Sequence, residues 1–385
     1  MGLNLLSVLV KGSAYERGAQ LGQKGGHLIR GNRDYYFTSW KKYGGLDEEA
    51  VYKFMRNFVE PVKNYDPEIL EEIQGMADSA KLTLEDLMAI NARYELAISR
   101  MGIAKPTGEA CTSLAATGEV TANGHTIHGQ NWDFRNLERC ILVEEIQDNG
   151  KPNICGITEA GRMGILGFNS AGIGVTANGL ISHRDSADHG VPYWILIRGV
   201  NNSITLDGAL SRVFKAQRSL SGNMMISHED GEVIDLEITP DNIGVMYPEE
   251  GILSHTNHFI ELRHQVQDLF RTSIPDSLIR SHRAMKLLAR RRGKIRVEDF
   301  KAVFTDHFSY PNSICRHADP KVDPMKGFTT ISSLIYDLNT RVLHYSVENP
   351  CEHGYQTLRP KSLAPDNGKM ERAVVSKSRQ KRPMT

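Results

Sequence analysis

Cysteine is scarce in this sequence, and neither sign of charge is in excess. The five cysteines are an odd number spread over 385 residues, which argues against a disulfide framework and for a reducing compartment. Lys+Arg and Asp+Glu both number 46, so the formal net charge is zero. The charge balance gives no reason to expect nucleic acid or an anionic membrane as a partner, and at least one cysteine is available for chemistry.

Long apolar runs are also missing, because no stretch is long enough to span a bilayer. The apolar N-terminus is short and lacks a basic leading segment, so it predicts a first β-strand and not a secretory signal. Gly2 fits the start of a myristoylation pattern, but Leu6 stands where that pattern needs Ser or Thr. The last residues do not form a Ser-Lys-Leu peroxisomal signal. The expected location is the cytoplasm, with the peroxisome left open.

Three regions of the chain differ in their patterns. Residues 1–110 are predicted to be mainly helical, because their apolar residues recur at three- and four-residue spacing. Asp66 and Thr83 precede acidic first turns and are good helix starts. Residues 111–362 carry short strands and further helices. Residues 363–385 are polar and are predicted to form a disordered tail.

The region after residue 110 predicts antiparallel sheets covered by helices. Asn123-Gly124 and Asn149-Gly150 each separate two strand-like runs, which is a strong hairpin signal. Hairpins imply antiparallel pairing, and the interspersed helices imply covering layers, so the fold class is α+β. An αββα sandwich fits this order, as do other α+β folds. Strands are predicted at 111–117, 125–133, 140–147, 153–160, 163–169, 172–178, 222–228, 232–238, 252–256, 329–338 and 341–347, and helices at 193–200, 206–217, 259–267, 277–290 and 297–308.

Cys111 is the first candidate for chemistry. It opens a strand directly after a flexible loop and a small residue, Ala110. If the Ala110–Cys111 bond is cut, Cys111 gains an α-amino group with a pKa of about 8, which can accept the thiol's proton. Nucleophile and base then belong to one residue. The alternative interpretation is a small apolar residue buried in the core, which is common for cysteines outside disulfides.

Asp133 is the second candidate, because it lies on the return strand of the same hairpin. A turn centred near residues 122–123 places residue 111 opposite residues 133–135. An aspartate at that position would orient the new ammonium group or the thiol. The alternative for Asp133 is a polar residue at the end of a strand, and the neighbouring Trp132 is expected in the core.

Six motifs follow one another along the chain: Ala-Cys-Thr-Ser (110–113), Gly-Gln-Asn-Trp-Asp-Phe (129–134), Gly-Phe-Asn-Ser-Ala-Gly-Ile-Gly-Val-Thr-Ala-Asn-Gly-Leu (167–180), Ser-His-Thr-Asn-His-Phe (254–259), Tyr-Pro-Asn-Ser-Ile-Cys-Arg-His (310–317) and Thr-Thr-Ile-Ser-Ser-Leu-Ile-Tyr-Asp-Leu (329–338). In these motifs the sequence resembles a known family, the acyl-coenzyme A:6-aminopenicillanic acid acyltransferases (isopenicillin N acyltransferases) and their relatives that hydrolyse N-acyl amides. The resemblance implies a four-layer αββα N-terminal-nucleophile hydrolase fold, made as a proenzyme and activated by autoproteolysis before a cysteine. It also makes residues 1–110 the pro-segment or small subunit and 111–362 the catalytic region.

The resemblance further implies a role for each matching residue. Cys111 would be the nucleophile for self-cleavage and then for substrate, and Asp133 would hold its amino group or tune its thiol. Asn257 would donate its side-chain amide to the oxyanion of the tetrahedral intermediate. Asn178 is the weaker candidate for a second oxyanion donor. Arg316 would contact the Cys111 region or an anionic substrate group.

Three of these assignments have structural alternatives, and two positions depart from the family. Asn257 could cap the helix predicted from residue 259, Arg316 could be a structural ion-pair residue, and Asn178 before a glycine could form a plain turn. Gln130 stands where distant bile-salt and ceramide relatives have Arg. Ala110 stands where Gly is usual, and because Ala is less permissive than Gly in strained backbone, slower cleavage is expected.

Two features of the sequence bear on other functions. Cys315-Arg-His317 and Cys351-Glu-His353 are two Cys-x-His pairs, but zinc sites more often use Cys-x2-Cys or similar spacings, so no metal site is predicted. No papain-like signature surrounds any cysteine. Two alternatives stay open: a small-molecule-binding protein that keeps the fold without catalysis, and a Cys/His metal-site protein.

The substrate is expected to be a small-molecule N-acyl amide or acyl thioester. The choice between hydrolase and acyltransferase stays open, because it depends on whether the pocket excludes water and holds an amine. No cofactor is expected, although acyl-coenzyme A is a candidate acyl donor. The cleaved N-terminal piece is expected to stay bound as a heterodimer partner, and neither nucleic acid nor a membrane is expected as a partner.

Overall fold

Two β-sheets stack face to face between helices in the computed structural model, which describes residues 5–101, 110–135, 139–323 and 327–363. The strands are β1 (Leu6–Gly12), β2 (Ala110–Ala116), β3 (Ile127–Phe134), β4 (Cys140–Gln147), β5 (Ile154–Glu159), β6 (Leu166–Asn169), β7 (Ile173–Asn178), β8 (Gly222–His228), β9 (Val233–Ile238), β10 (Ile243–Met246), β11 (Ile252–His255), β12 (Thr329–Asp337), β13 (Val342–Val347) and β14 (Gln356–Leu358). The first sheet has the order β1-β4-β5-β6-β7-β8-β9-β10, and the second has β11-β2-β3-β12-β13-β14. All strand pairs in the described ranges are antiparallel except β1 with β4.

Helices cover the outer face of each sheet. They are α1 (Ala14–Gly44), α2 (Glu48–Tyr65), α3 (Pro67–Ala80), α4 (Leu84–Asn91), α5 (Arg93–Met101), α6 (Tyr193–Asn201), α7 (Leu206–Phe214), α8 (Phe270–Ser273), α9 (Asp276–Ala289), α10 (Val297–Phe304) and α11 (Pro350–His353). α1 and α6 pack on the first sheet, whereas α9 and α10 pack on the second. The resulting αββα layering is the fold that the sequence resemblance implies. The predicted helix starts at Asp66 and Thr83 are confirmed, since both side chains accept a backbone N–H in the first turn.

The N-terminal segment is joined to the rest of the chain by a strand pairing and by buried ion pairs. β1 pairs in parallel with β4 at the edge of the first sheet. A buried ion cluster also crosses from this segment to the rest of the chain: Arg17 lies 2.8 Å from Glu72, and Arg198 lies 2.9 Å from Glu72 and 2.6 Å from Glu145. All four side chains are almost fully buried. Removing one partner would leave a buried charge without compensation.

The predicted helix over residues 259–267 is wrong. No helix forms there, and the short helix α8 begins only afterwards. The backbone N–H groups of Ile260 and Leu262 instead donate to the Glu237 carboxylate, at 2.5 and 2.8 Å. These amides thus bond a carboxylate that is distant in sequence and not the carbonyl groups of a helical turn.

The other predicted strands and helices are present with bounds shifted by a few residues. Two short strands, β10 and β14, are not predicted from the sequence. The position of Gly2 and the predicted tail beyond Leu363 lie outside the described residues. In the described part of the chain, no helix is both long and apolar enough to cross a membrane.

Candidate active site

Cys111 is the second residue of β2, and its side chain is fully buried. It belongs to the same apolar cluster as Trp132. Ser113 lies two residues further along β2 and so on the same face, and its hydroxyl bonds Asn178 on β7 of the other sheet. The Cys111 side chain therefore points into the layer between the two sheets. It is a core residue, as the alternative interpretation holds, and it also lies at the head of an inner strand.

The predicted pairing of Cys111 with residues 133–135 is wrong by one residue. Cys111 lies opposite Trp132, and Asp133 lies opposite Ala110. Successive strand residues point to opposite faces of a sheet, so the Asp133 side chain lies on the face covered by helices while Cys111 faces the inner layer. Asp133 therefore flanks the Ala110–Cys111 peptide bond from the helical side.

Asp133 is held in a buried polar network. The Thr330 hydroxyl donates to its carboxylate at 2.7 Å, and Arg316 Nε lies 3.4 Å from it. Burial raises the pKa of Asp133 to about 6, although the charges of Arg316 and Arg280 act in the opposite direction. Arg316 also bonds Asp276. Arg316 is thus an ion-pair residue that contacts the Cys111 region through Asp133.

Arg280 also contacts Cys111, and none of the sequence motifs includes it. It is buried on α9 and donates to the backbone carbonyl of Cys111 at 2.5 Å, to Thr112 Oγ1 at 3.0 Å and to Asn257 Oδ1 at 2.9 Å. Its Nε lies 2.8 Å from Asp276. Asp276 and Arg280 stand four residues apart at the start of a predicted helix, and that spacing was the available signal.

Asp276 completes an alternating chain of charges. Burial alone would raise the pKa of Asp276, but Arg280 and Arg316 outweigh it and lower that pKa below its usual value. Carboxylates and guanidinium groups alternate along the chain of charges, in the order Asp133, Arg316, Asp276, Arg280. This chain leads from the side of the Ala110–Cys111 bond to the carbonyl oxygen of Cys111.

Asn257 contacts the backbone nitrogen of Cys111. Its Oδ1 accepts the Cys111 N–H at 2.8 Å, and its Nδ2 donates to the Gly179 carbonyl at 3.1 Å. Its own backbone N–H donates to Ser277 Oγ at 2.7 Å, which anchors the segment after β11 to α9. The alternative that Asn257 caps a helix is wrong, because no helix follows it.

Asn178 and Gln130 join the two sheets beside Cys111. Asn178 Nδ2 donates to Ser113 Oγ at 3.0 Å and to Asn223 Oδ1 at 2.5 Å. Gln130 bonds the backbone of Ala177 with both ends of its amide, donating to the carbonyl at 2.5 Å and accepting from the N–H at 3.1 Å. Asn178 ends the strand β7 and is not a plain turn.

A buried histidine adds a positive charge near Asn257. His255 Nε2 lies 3.0 Å from Glu237 and 3.9 Å from Asp235, and its Nδ1 bonds the Thr256 carbonyl. Burial alone would lower the pKa of His255, but the two carboxylates outweigh it and raise the pKa to about 9. His255 is therefore charged at neutral pH and holds the end of β11, which leads into Asn257.

A small cavity with mainly apolar walls opens beside Gly179, the residue whose carbonyl receives the Asn257 amide. Ser221 is its polar side chain. Its wall includes residues from α5, from the segment after β7 and from α8: Tyr94, Ile98, Leu180, Ile181, Leu220 and Phe270.

The layered αββα fold is the one that the sequence resemblance implies, that of the N-terminal-nucleophile hydrolases. Within that class, the chain belongs to the acyl-coenzyme A:6-aminopenicillanic acid acyl-transferase family, whose sequence model matches residues 120–352. This match begins after Cys111 and includes Asp133, Asn257 and Arg316. The family expected from the six motifs is confirmed.

Individual proteins resemble the chain to different degrees. It is 30% identical over 287 residues to the 40 kDa form of acyl-coenzyme A:6-aminopenicillanic-acid-acyltransferase from Emericella nidulans, which covers 74% of this chain and 76% of that protein. A variant of conjugated bile acid hydrolase from Clostridium perfringens is 14% identical, with a TM-score of 0.43 over 62% of this chain and 89% of that chain. Penicillin V acylase from Agrobacterium tumefaciens is also 14% identical, with a TM-score of 0.34 over 62% and 83%.

Proposed function

We propose that the chain is an autoproteolytically activated cysteine amidohydrolase or acyltransferase that works through an acyl-Cys111 intermediate. Family membership and the acyltransferase from Emericella nidulans support acyl transfer or amide hydrolysis as the chemistry. One observation carries the assignment to Cys111: its backbone N–H and C=O are both held by buried polar side chains, Asn257 and Arg280. Because β11 ends opposite Ser113, these two buried backbone groups have no strand partner on that side and are held by side chains instead.

In the first reaction, the Cys111 thiol attacks the Ala110 carbonyl carbon. The Ala110–Cys111 C–N bond breaks, the thiol proton passes to the departing nitrogen, and a thioester links Ala110 to Cys111 Sγ. Water then hydrolyses the thioester to give an Ala110 carboxylate and a thiol. The Asn257 oxygen, which accepts the Cys111 N–H, is suited to orient the nitrogen that leaves.

In the second reaction, the new α-amino group of Cys111 accepts the thiol proton, and the sulfur attacks the substrate carbonyl. Asn257 can then stabilise the oxyanion if its Nδ2 turns from the Gly179 carbonyl to the incoming oxygen, and such a donor is worth roughly 3–4 kcal/mol. Asp133, on the other side of the cleaved bond, holds the new ammonium group by charge. Water completes hydrolysis of the acyl-enzyme, or an amine completes acyl transfer.

Ala110 is compatible with this reaction. It lies in the extended strand β2 and is absent from the residues with positive φ, so its methyl group costs no backbone strain. Slower cleavage than with Gly stays a prediction. The cleaved piece would remain bound as a heterodimer partner, because β1 and the buried Glu72–Arg198 pair tie it to the larger piece.

The apolar cavity beside Gly179 would receive the acyl group of the substrate only after its side chains move apart, because its free volume of about 10 Å³ holds no more than one water molecule. Its wall is formed by aliphatic and aromatic side chains, which favour a hydrocarbon or aryl chain over a charged one. The acyl donor would be an N-acyl amide or an acyl thioester such as acyl-coenzyme A. No separate cofactor is needed, since the nucleophile and the base both come from Cys111.

The experiment that tests this function compares intact masses of freshly purified wild type, Cys111→Ala and Cys111→Ser. We expect the wild type to give two fragments, 1–110 and 111–385, and Cys111→Ala to stay whole. Cys111→Ser keeps a nucleophile that attacks more slowly, so we expect slow cleavage at the same bond. Matured wild type, but neither variant at a comparable rate, should release product from a panel of N-acyl amides and acyl thioesters.

Two results would contradict the proposal. Cleavage in Cys111→Ala at the same bond would exclude Cys111 as the self-cleaving nucleophile. Full amidase or acyltransferase activity in Cys111→Ala would exclude it as the catalytic residue.

A further inference from the structure

A cluster of cysteine and histidine side chains lies next to the Arg316 segment. His307, Cys315, His317 and Cys351 each offer one ligand atom, and these atoms all lie within 4.8 Å of one another. His307 follows α10, Cys315 and His317 belong to the loop before β12, and Cys351 is on α11. The cluster therefore joins three separate places in the chain.

The spacing of these atoms is close to that of a tetrahedral zinc site. Zn–S bonds of about 2.3 Å and Zn–N bonds of about 2.0–2.1 Å set tetrahedral edges of roughly 3.8 Å between sulfurs and roughly 3.3 Å between nitrogens. Here Cys315 Sγ and Cys351 Sγ are 3.5 Å apart, and His317 Nε2 and His307 Nε2 are 3.1 Å apart. The mixed edges from His317 Nε2 are 3.8 Å to Cys315 and 3.4 Å to Cys351.

Groups around the cluster are placed as the outer contacts of metal ligands usually are. The second ring nitrogen of His317 faces the Glu352 carboxylate at 3.4 Å, which fixes the ring with Nε2 toward the cluster. Asn349 Nδ2 lies 3.6 Å from Cys315 Sγ, at a distance suited to an N–H···S contact with a thiolate. Both contacts would favour metal binding by the residues they touch.

We propose that His307, Cys315, His317 and Cys351 bind one structural zinc ion. Two thiolates and two neutral imidazoles neutralise a divalent cation, and four protein ligands leave no open position for catalysis. Thiolates also favour zinc over hard cations such as magnesium. The sequence spacing had suggested no metal site, and it had paired Cys351 with His353, but His353 instead faces Glu348 at 3.3 Å.

The ion would position Arg316. This residue lies between two of the ligands, and its carbonyl accepts hydrogen bonds from Asn349 Nδ2 at 2.7 Å and from the Thr330 N–H at 2.9 Å. Fixing the loop to α11 keeps the Arg316 guanidinium between Asp133 and Asp276. Arg316 is thus a positioning residue whose own position depends on the metal.

The test measures metal bound to the full-length chain after removal of any purification tag. Zinc per chain is determined by plasma mass spectrometry for wild type, His307→Ala, Cys351→Ser and the control His353→Ala. We expect about one zinc per chain in wild type and control, as in closed Cys2His2 sites, and severe loss in the other two. His307 and Cys351 are both exposed, so these substitutions leave the core intact, and circular dichroism checks this.

A second measurement replaces zinc with Co2+ in the chelator-treated protein. We expect the strong visible bands of a tetrahedral cobalt–thiolate centre in wild type and His353→Ala, and their loss in Cys351→Ser. Failure of wild type to bind zinc or to develop these bands would overturn the proposal. So would equal zinc in all four proteins, or a Cys315–Cys351 disulfide in the non-reduced intact mass of the purified wild type.

Discussion

The Oδ1 atom of Asn257 lies 2.8 Å from the backbone nitrogen of Cys111 and accepts its hydrogen bond. The same oxygen accepts a hydrogen bond from Arg280, while the amide nitrogen donates to Gly179. In the proposed reactions the Cys111 nitrogen is first a leaving group and later the base. One side-chain amide can therefore serve both steps with its two different ends.

Substitutions of Asn257 should distinguish the role of its amide oxygen from that of its amide nitrogen. Asn257→Asp keeps an oxygen that can accept the Cys111 N–H but has no amide donor, whereas Asn257→Leu has neither. We expect Asn257→Asp to retain self-cleavage and to lose about 10²–10³-fold in kcat, the usual effect of removing one oxyanion donor. Asn257→Leu should lose both reactions. Fragment analysis and single-turnover rates measure the two steps, and equal cleavage in both variants would refute the role of the oxygen.

Asp133→Asn should show how far the buried carboxylate supports catalysis. Because the pKa of Asp133 is raised to about 6, the group ionises as the pH passes that value, and the wild-type rate should rise there. The substitution removes the charge, so we expect a loss of at least about 10²-fold at pH 8. The rise near pH 6 should also vanish, and a variant with the wild-type pH profile would exclude this role.

The same shift has a consequence for stability. The pKa of Asp133 is higher in the folded than in the unfolded chain. Its protonation therefore adds to the free energy of unfolding below about pH 4, and this contribution is lost as the pH rises through about 6. Asp133→Asn should not show that loss. Urea unfolding at pH 4 and pH 7 in the uncleaved Cys111→Ala background tests this, and the single chain avoids fragment dissociation.

His255 should have a pH dependence at the alkaline end. Its pKa is raised from 6.5 to about 9, so its stabilising effect is complete below about pH 6.5 and is lost as the pH rises through about 9. His255→Gln leaves Glu237 and Asp235 without their cation, and we expect a loss of about 3–5 kcal/mol at pH 6.5. The difference from the parent chain should narrow at pH 9.5. A pH-independent difference would mean that packing alone is affected.

The cavity beside Gly179 should control the length of the acyl group. Ile98 lines it, and Ile98→Ala enlarges it by several carbon atoms. We expect the ratio of kcat/KM for longer over shorter acyl substrates to rise about tenfold, which is typical of one pocket contact. Ile204→Ala is the matched control because Ile204 is exposed. An unchanged ratio in Ile98→Ala would place the acyl group elsewhere.

Strands were predictable from the sequence where turns fix them. The strands β2, β3, β4 and β5 are joined by two hairpins with Asn-Gly at their turns, and their bounds are close to the prediction. The helix prediction for 259–267 failed although Phe259, Leu262 and Val266 have helical spacing and do pack together. The backbone N–H groups of Phe259 and Leu262, however, donate to the carboxylates of Asp268 and Glu237, and no local pattern reveals these bonds.

The sequence predicted the residues of the candidate site that stand in motifs, but not the arginine that connects them. Cys111, Asp133 and Asn257 stand in motifs, whereas Arg280 stands outside them, and its four-residue spacing from Asp276 indicates only an ion pair within a helix. Its role depends on the way α9 packs on β2 and β11. In the same way, His307 replaces His353 in the Cys/His cluster because of the orientation of α11. Contacts between elements that are far apart in sequence decide both cases.

The parallel pairing of β1 with β4 would make unfolding harder to reverse after self-cleavage. The uncut chain can refold by itself, because the edge strand and its partner are covalently linked. Once the linking bond is cut, the edge strand must be found again by collision, and recovery depends on concentration. The matured protein would then be kinetically stable. Its lifetime would be set by the rate at which the two pieces unfold and separate, and not by a folding equilibrium.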